Sequence, residues 1–135
     1  KFGLLDKKNI NAKRDRFMKD FDIRVGDING NVGQLSGGNA QKIIIAREFE
    51  SNPKMLLACQ PTRGVDIGSI EFIHKQILNF RNKGNAVVLI SRELSEVMGL
   101  SDRIIVMYKG KIIGELSPKD VSRSEIGLLM AGIQK

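Results

Sequence analysis

Lys54 to Asp66 reads KMLLACQPTRGVD, and its reading decides the fold. Met55 to Ala58 form a short apolar run that passes through Cys59 and Gln60 and breaks at Pro61. A run of that length bounded by a proline predicts a strand, Lys54–Cys59, that ends in a loop. In a parallel sheet, the carboxyl end of a strand is where ligands bind and chemistry is done. A carboxylate at that tip would read as a catalytic group. The residues there are a neutral thiol and a neutral amide.

The flanking segments set the layer. Ser69 to Asn82 predicts an amphipathic helix with Ile70, Ile73, Ile77 and Phe80 on one stripe, stopped by Gly84. Ala86 to Ser91, AVVLIS, is a continuous apolar run of the kind found in strands covered on both faces. Arg92 to Leu100 predicts a short helix. Arg103–Tyr108 and Lys111–Glu115 flank Lys109-Gly110 and predict a hairpin, and Ser122 to Met130 a terminal helix. Upstream, Asn11 to Phe21 predicts a helix with Phe17 and Phe21 at i,i+4 spacing and a charged run from Lys13 to Lys19 opposite. Gly26 to Gly33 is a glycine-punctuated loop. Ile43, Ile44 and Ile45 are β-branched and would suit a strand. The start signal at Ser36, the helix formers around them and Pro53 favour a helix over about Gly38–Ser51. The order strand–helix–strand–helix–strand predicts an α/β fold, a mostly parallel sheet flanked by helices with an antiparallel hairpin at its edge. Cys59, Met98, Met107 and Met130 sit in apolar runs and read as core.

Composition narrows the classes. The 135 residues suit one domain, and 41% hydrophobic with 27% charged is a globular balance. No apolar run approaches the roughly 20 residues of a bilayer span. The chain starts at Lys1 with no apolar leader behind it, so a fragment or processed chain is expected. The single cysteine allows no intramolecular disulfide. A net charge of +7 suits contact with phosphates. The basic residues are scattered, and one Tyr with no Trp supplies no base-stacking platform, which argues against nucleic acid.

LSGGNAQK, Leu35 to Lys42, places Gly37 and Gly38 where a helix begins, with a serine hydroxyl beside them. Exposed amides at a helix N-terminus favour a phosphate. A serine-capped turn with no ligand is the plain alternative for S-G-G alone. In sequence order, LSGGN, the strand MLLA, QPTRGVD, VVLIS and the closing SDRIIVMYKGKIIGE resemble the second half of an ABC transporter ATP-binding domain. Leu35–Asn39 resembles the signature motif. Met55–Gln60 takes the place of the Walker B strand, Gly64–Asp66 that of the D-loop, and Ser91–Glu93 that of the switch-histidine loop. The resemblance is finest to the C-terminal ATP-binding domain of the fused sugar- and nucleoside-type importers. QPTRGVDIGSIEFIH and IGLLMAG lean to the nucleoside branch, with sugar importers as runner-up.

The resemblance implies ATP and Mg²⁺ as ligands of the full assembly. It implies that Ser36, Gly37 and Gly38 contact a γ-phosphate held by a partner domain, with Asn39 and Gln41 nearby and Asp66 at the seam. Its partners would be the N-terminal ATP-binding domain of the same protein and membrane permease subunits, at the cytoplasmic face of the membrane. The catalytic positions depart from the family pattern. Cys59 and Gln60 stand where Asp-Glu is expected, and Arg92 stands where the histidine is expected. A thiol suits hard Mg²⁺ poorly, an amide accepts no proton, and a guanidinium shuttles none at neutral pH. No catalytic set is intact, and no metal ligands are assigned. No G-x-x-x-x-G-K-[ST] occurs, so the P-loop strand is missing and the chain alone is expected not to hydrolyse ATP. About 1–50 would be a partial helical subdomain and about 51–135 the Walker B to C-terminal part. A second copy of the chain is one candidate cover for the open sheet edge. A docking module on an ABC-like scaffold is the competing class.

Overall fold

A computed structural model describes residues 5–133. They divide into two compact units. The first runs to Leu56 and takes in Pro61–Ala86; the second is Leu57–Gln60 with the chain from Val87 onward.

In the first unit, helix α1 spans Lys7–Asp20, four residues earlier than the predicted start. The carboxylate of Asp6 supplies the cap by accepting from Asn9 N at 3.0 Å. Asp22 adopts a left-handed turn (φ 46°) after it. The predicted Gly26–Gly33 loop is irregular as far as Asn31, and its last two residues enter a 3₁₀ turn at Val32–Gln34. Helix α2 spans Gly37–Glu50 and starts at the Ser36 cap; the three isoleucines are helical. Helix α3 spans Ile67–Asn82, beginning before the predicted Ser69 because Asp66 is its cap. Its stripe is as expected: Ile73, Ile77 and Phe80 are buried.

Aromatic rings join the three helices. Phe21 meets Phe17, Phe49 and Phe72 edge-on, with centroids 6.2, 6.1 and 6.4 Å away. Phe49 stacks on Phe80 at 5.0 Å. Lys42 of α2 is buried, with Nζ donating to the Asp22 carbonyl at 2.9 Å and lying over the Phe72 ring. Lys13 and Arg16 of α1 both pair with Glu50 at the end of α2.

Strand β1 (Met55–Cys59) pairs with β2 (Ala86–Ile90). The pairing is parallel: Ala86 N bonds Lys54 O at 2.9 Å and Gln60 N bonds Ile90 O at 2.7 Å, so both strands advance together. The second unit adds helix α4 (Leu94–Leu100), strands β3 (Ile104–Tyr108) and β4 (Lys111–Leu116), and helix α5 (Arg123–Met130). The Lys109-Gly110 turn has φ of 46° and 77°, the paired positive angles of a tight hairpin. Ser122 and Glu125 form a capping box at α5. Ile104, Val106 and Ile126 make the core of this unit, packed by Val97, Met98 and Leu129 among others.

Four expectations are corrected. Strands β3 and β4 form a sheet of their own rather than an edge of the β1–β2 sheet. The helix expected from Arg92 begins at Leu94, because Ser91 Oγ accepts from Glu93 N at 3.0 Å and turns the chain first. β1 and β2 are not covered on both faces: Leu57, Val88 and Ile90 are exposed in alternation, and Cys59 with them. Apolarity in sequence marks a strand's preference; it does not supply the layer that covers it. Met107 and Met130 are exposed as well, and only Met98 packs on the core.

Candidate functional site

The turn at Ser36–Asn39 is built from the first unit alone. Ser36 has extended backbone, and Ala40 N makes the first intrahelical bond to its carbonyl at 2.9 Å. The N–H groups of Gly37 and Gly38 stand ahead of that bond, where a helix has no internal acceptors for them. Ser36 Oγ accepts from Asn39 N at 3.4 Å and from Asn39 Nδ2 at 3.1 Å. Asn39 Oδ1 in turn accepts from Arg24 N at 2.9 Å.

Two close approaches require the glycines. A Cβ on Gly37 would stand 2.7 Å from the Gly64 carbonyl oxygen. A Cβ on Gly38, which is buried, would collide with Ser69 Oγ and stand 2.8 Å from Asp66 Oδ2. Gly64 itself has φ 74°, a left-handed turn natural to glycine. Two sequence motifs, LSGG and GVD, are therefore one packed structure.

Asp66 holds that structure from the other side. Its Oδ1 accepts from Ser69 N and its Oδ2 from Ser69 Oγ, both at 2.9 Å. These bonds, the backbone one first, hold its carboxyl below the ordinary carboxylate range. A carboxylate stabilised in the fold contributes stability above its unfolded pKa of about 3.9 and loses it as pH falls through the lower folded value. Asp22 behaves alike through Arg24 and Lys42. We expect urea unfolding to show falling stability from about pH 4 downward. Asp66→Asn should be less stable at pH 7 and respond less to acid. An unchanged acid limb in that variant would remove the assignment.

Ser36, Gly37, Gly38, Asn39 and Asp66 thus come together, and Gln41 lies half-buried in the same turn of α2. The amide of Asn39 is engaged inside the turn. Cys59, Gln60 and Arg92 belong to the second unit. The Gln60 N–H bond to Ile90 O sets the tip of β1 beside the end of β2, two residues before the exposed Arg92. Gln60 is left-handed (φ 50°), so the chain turns sharply at the strand tip. Oxygen donors suit Mg²⁺; a thiol, a neutral amide and a guanidinium do not make such a set. No group of three or more His, Cys, Asp or Glu among the described residues is placed to hold a metal.

Sequence reading missed Ser69, whose bonds to Asp66 are local cap contacts but whose approach to Gly38 is long-range, and Arg24, whose amide reaches Asn39 fifteen residues on. It also missed an apolar groove of about 520 Å³ between α1 and the following loop, lined by Ile10, Phe17, Val25, Ile28 and Leu35 among others. No described helix is long and apolar enough to cross a membrane.

The fold is that of an ABC nucleotide-binding domain. The chain superposes on a dimeric ATP-binding cassette solved with ADP and Pi (TM-score 0.71, 25% identity, 87% of this chain and 51% of that one). It also superposes on an inward-facing putative metal-chelate type ABC transporter (TM-score 0.75, 17% identity, 97% and 51%), a likeness of fold alone. No family model matches the chain. Its homologues are the ATP-binding proteins of nucleoside and sugar importers. The guanosine import ATP-binding protein NupO of Bacillus subtilis (strain 168) is 47% identical over 130 residues, 96% of this chain and 26% of that protein. The nucleoside import ATP-binding protein NupA of Lactococcus lactis subsp. cremoris (strain MG1363) is 46% identical over 132 residues, 98% and 26%. A ribose import ATP-binding protein of Yersinia pestis, RbsA, is 40% identical over 132 residues, again 98% and 26%. The chain spans about a quarter of the length of these relatives.

Proposed function

We propose that the chain is the C-terminal stretch of the second ATP-binding domain of an ABC importer ATPase, on the nucleoside branch. The carrying observation is 46–47% identity to guanosine and nucleoside import proteins over nearly the whole chain. The packed signature turn supports it. In this reading Ser36, Gly37 and Gly38 cap a γ-phosphate held by the partner ATP-binding domain, and Asp66 stands at the seam. The positive end of α2 and its forward N–H groups favour that anion.

The chain's own site has lost hydrolysis in this reading. Gln60 and Arg92 stand at the strand end where a base and a proton shuttle would act, and Cys59 replaces the oxygen ligand. No magnesium step is assigned to these residues. Closure of the two domains on ATP would drive permease subunits, with the assembly at the cytoplasmic face of the membrane.

The test uses the parent ATP-binding protein assembled with its membrane partners. Ser36→Ala should lower ATP turnover about tenfold, the loss of one charge-assisted hydrogen bond. Unchanged turnover overturns the role. A glucose import ATP-binding protein of Haloferax volcanii is also 47% identical, over 130 residues and 24% of its length, which keeps a sugar importer as the second reading. Stimulation of turnover by a binding protein loaded with guanosine rather than ribose separates the two.

A further inference from the structure

We infer that Asn39 is a positioning residue that makes Ser36 an obligate hydrogen-bond donor toward the anion. This rests on the reading of the Ser36 turn as the ATP-contacting surface. The first observation is directional. Arg24 N is a backbone amide and can only donate, and it meets Asn39 Oδ1 at 2.9 Å. That contact fixes which end of the carboxamide is oxygen. The NH₂ end must then face Ser36, and it lies 3.1 Å from Oγ.

The second observation is a count of valences. A serine hydroxyl has two acceptor positions and one proton. Asn39 fills both acceptor positions, one with Nδ2–H and one with its backbone N–H. The hydroxyl proton is the only hydrogen-bonding capacity left to the Ser36 side chain. It cannot be spent on Asn39, which offers Ser36 donors alone. A residue that could otherwise donate or accept is committed to donating, and an anionic oxygen is the partner that arrangement suits. The same bond to Arg24 ties the serine to the loop that follows α1, so the hydroxyl is held in place as well as in polarity.

Asn39→Asp tests this at constant shape. One aspartate oxygen still accepts from Arg24 N. The other faces Ser36 as an acceptor, so the hydroxyl turns its proton inward and presents lone pairs to the ligand. In the assembled parent protein, Asn39→Asp should lower ATP turnover at least tenfold while the unfolding midpoint stays near that of the unmodified protein. The added negative charge could produce a loss by itself, so the deciding measurement is a double-mutant cycle. If Asn39 acts through the hydroxyl, the hydroxyl-borne part of the loss vanishes in a Ser36→Ala background and only the charge effect remains, so Asn39→Asp should cost clearly less there than in the unmodified protein. A loss that multiplies with that of Ser36→Ala overturns the inference, as does wild-type turnover in Asn39→Asp alone. If Ser36→Ala is itself silent, the reading of the turn as an ATP surface fails and this inference falls with it; the three outcomes are distinct.

Discussion

Gly38→Ala should destabilise the chain by about 2 kcal/mol in urea unfolding. Two effects oppose each other. Alanine is the better helix former by about 1 kcal/mol, and on an exposed helix it would stabilise. Gly38 is buried, and its missing Cβ faces Ser69 Oγ, Ser69 Cβ and Asp66 Oδ2. Ser69 Cβ is fixed to its helix, and the two oxygens, though side-chain ends, are held by their bond to each other. Ser69 is 6% exposed, and its hydroxyl is bonded to the same Asp66 oxygen. Relief requires α2 to draw back from the start of α3, and overpacking of that kind costs about 1–3 kcal/mol. At the upper end of that range the clash outweighs propensity. Ser69→Gly removes the obstructing atoms, so the double variant should lose less than the sum of the single changes. Unfolding of Gly38→Ala at the unmodified midpoint would show that the two turns do not press on each other.

Phe21→Ala should cost about 2–3 kcal/mol. A fully buried phenylalanine cut to alanine loses about 3–5 kcal/mol, and Phe21 is half-buried. Its three ring contacts offset part of that discount, since edge-on pairs add about 0.5–1.5 kcal/mol each beyond area. Phe21 caps α1 and touches Phe49 of α2 and Phe72 of α3, so one truncation loosens all three helices. Phe21→Leu keeps most of the volume and should lose about half as much. A loss below about 1 kcal/mol for the alanine variant would mean that the rings meet without carrying the fold.

Much of this was legible in the sequence, for identifiable reasons. The α3 stripe follows helical spacing, Pro53 and Gly84 punctuate the chain, and Lys109-Gly110 marks its hairpin; each is a local cue acting on its own neighbourhood. The starts of α1 and α3 are set by aspartate caps, Asp6 and Asp66, which lie outside the apolar stripe that marks each helix. The Ser36 turn was legible as a helix start, and the order of motifs supplied the family. What sequence could not give was long-range. Nothing near Gly37 announces the Gly64 carbonyl, and nothing near Asn39 announces Arg24 N. The outward faces of β1 and β2 show the same gap: Leu57, Val88 and Ile90 declare a strand, while their exposure is set by what packs against it.

The approach of Gly37 to the Gly64 carbonyl sets backbone against backbone. Side chains yield by changing rotamer; peptide planes have no such compliance. The beginning of α2 and the turn ahead of α3 are therefore stiff toward one another, like two parts of a casting rather than two parts on a spring. Any side chain larger than hydrogen at position 37 would have to displace a peptide rather than a rotamer.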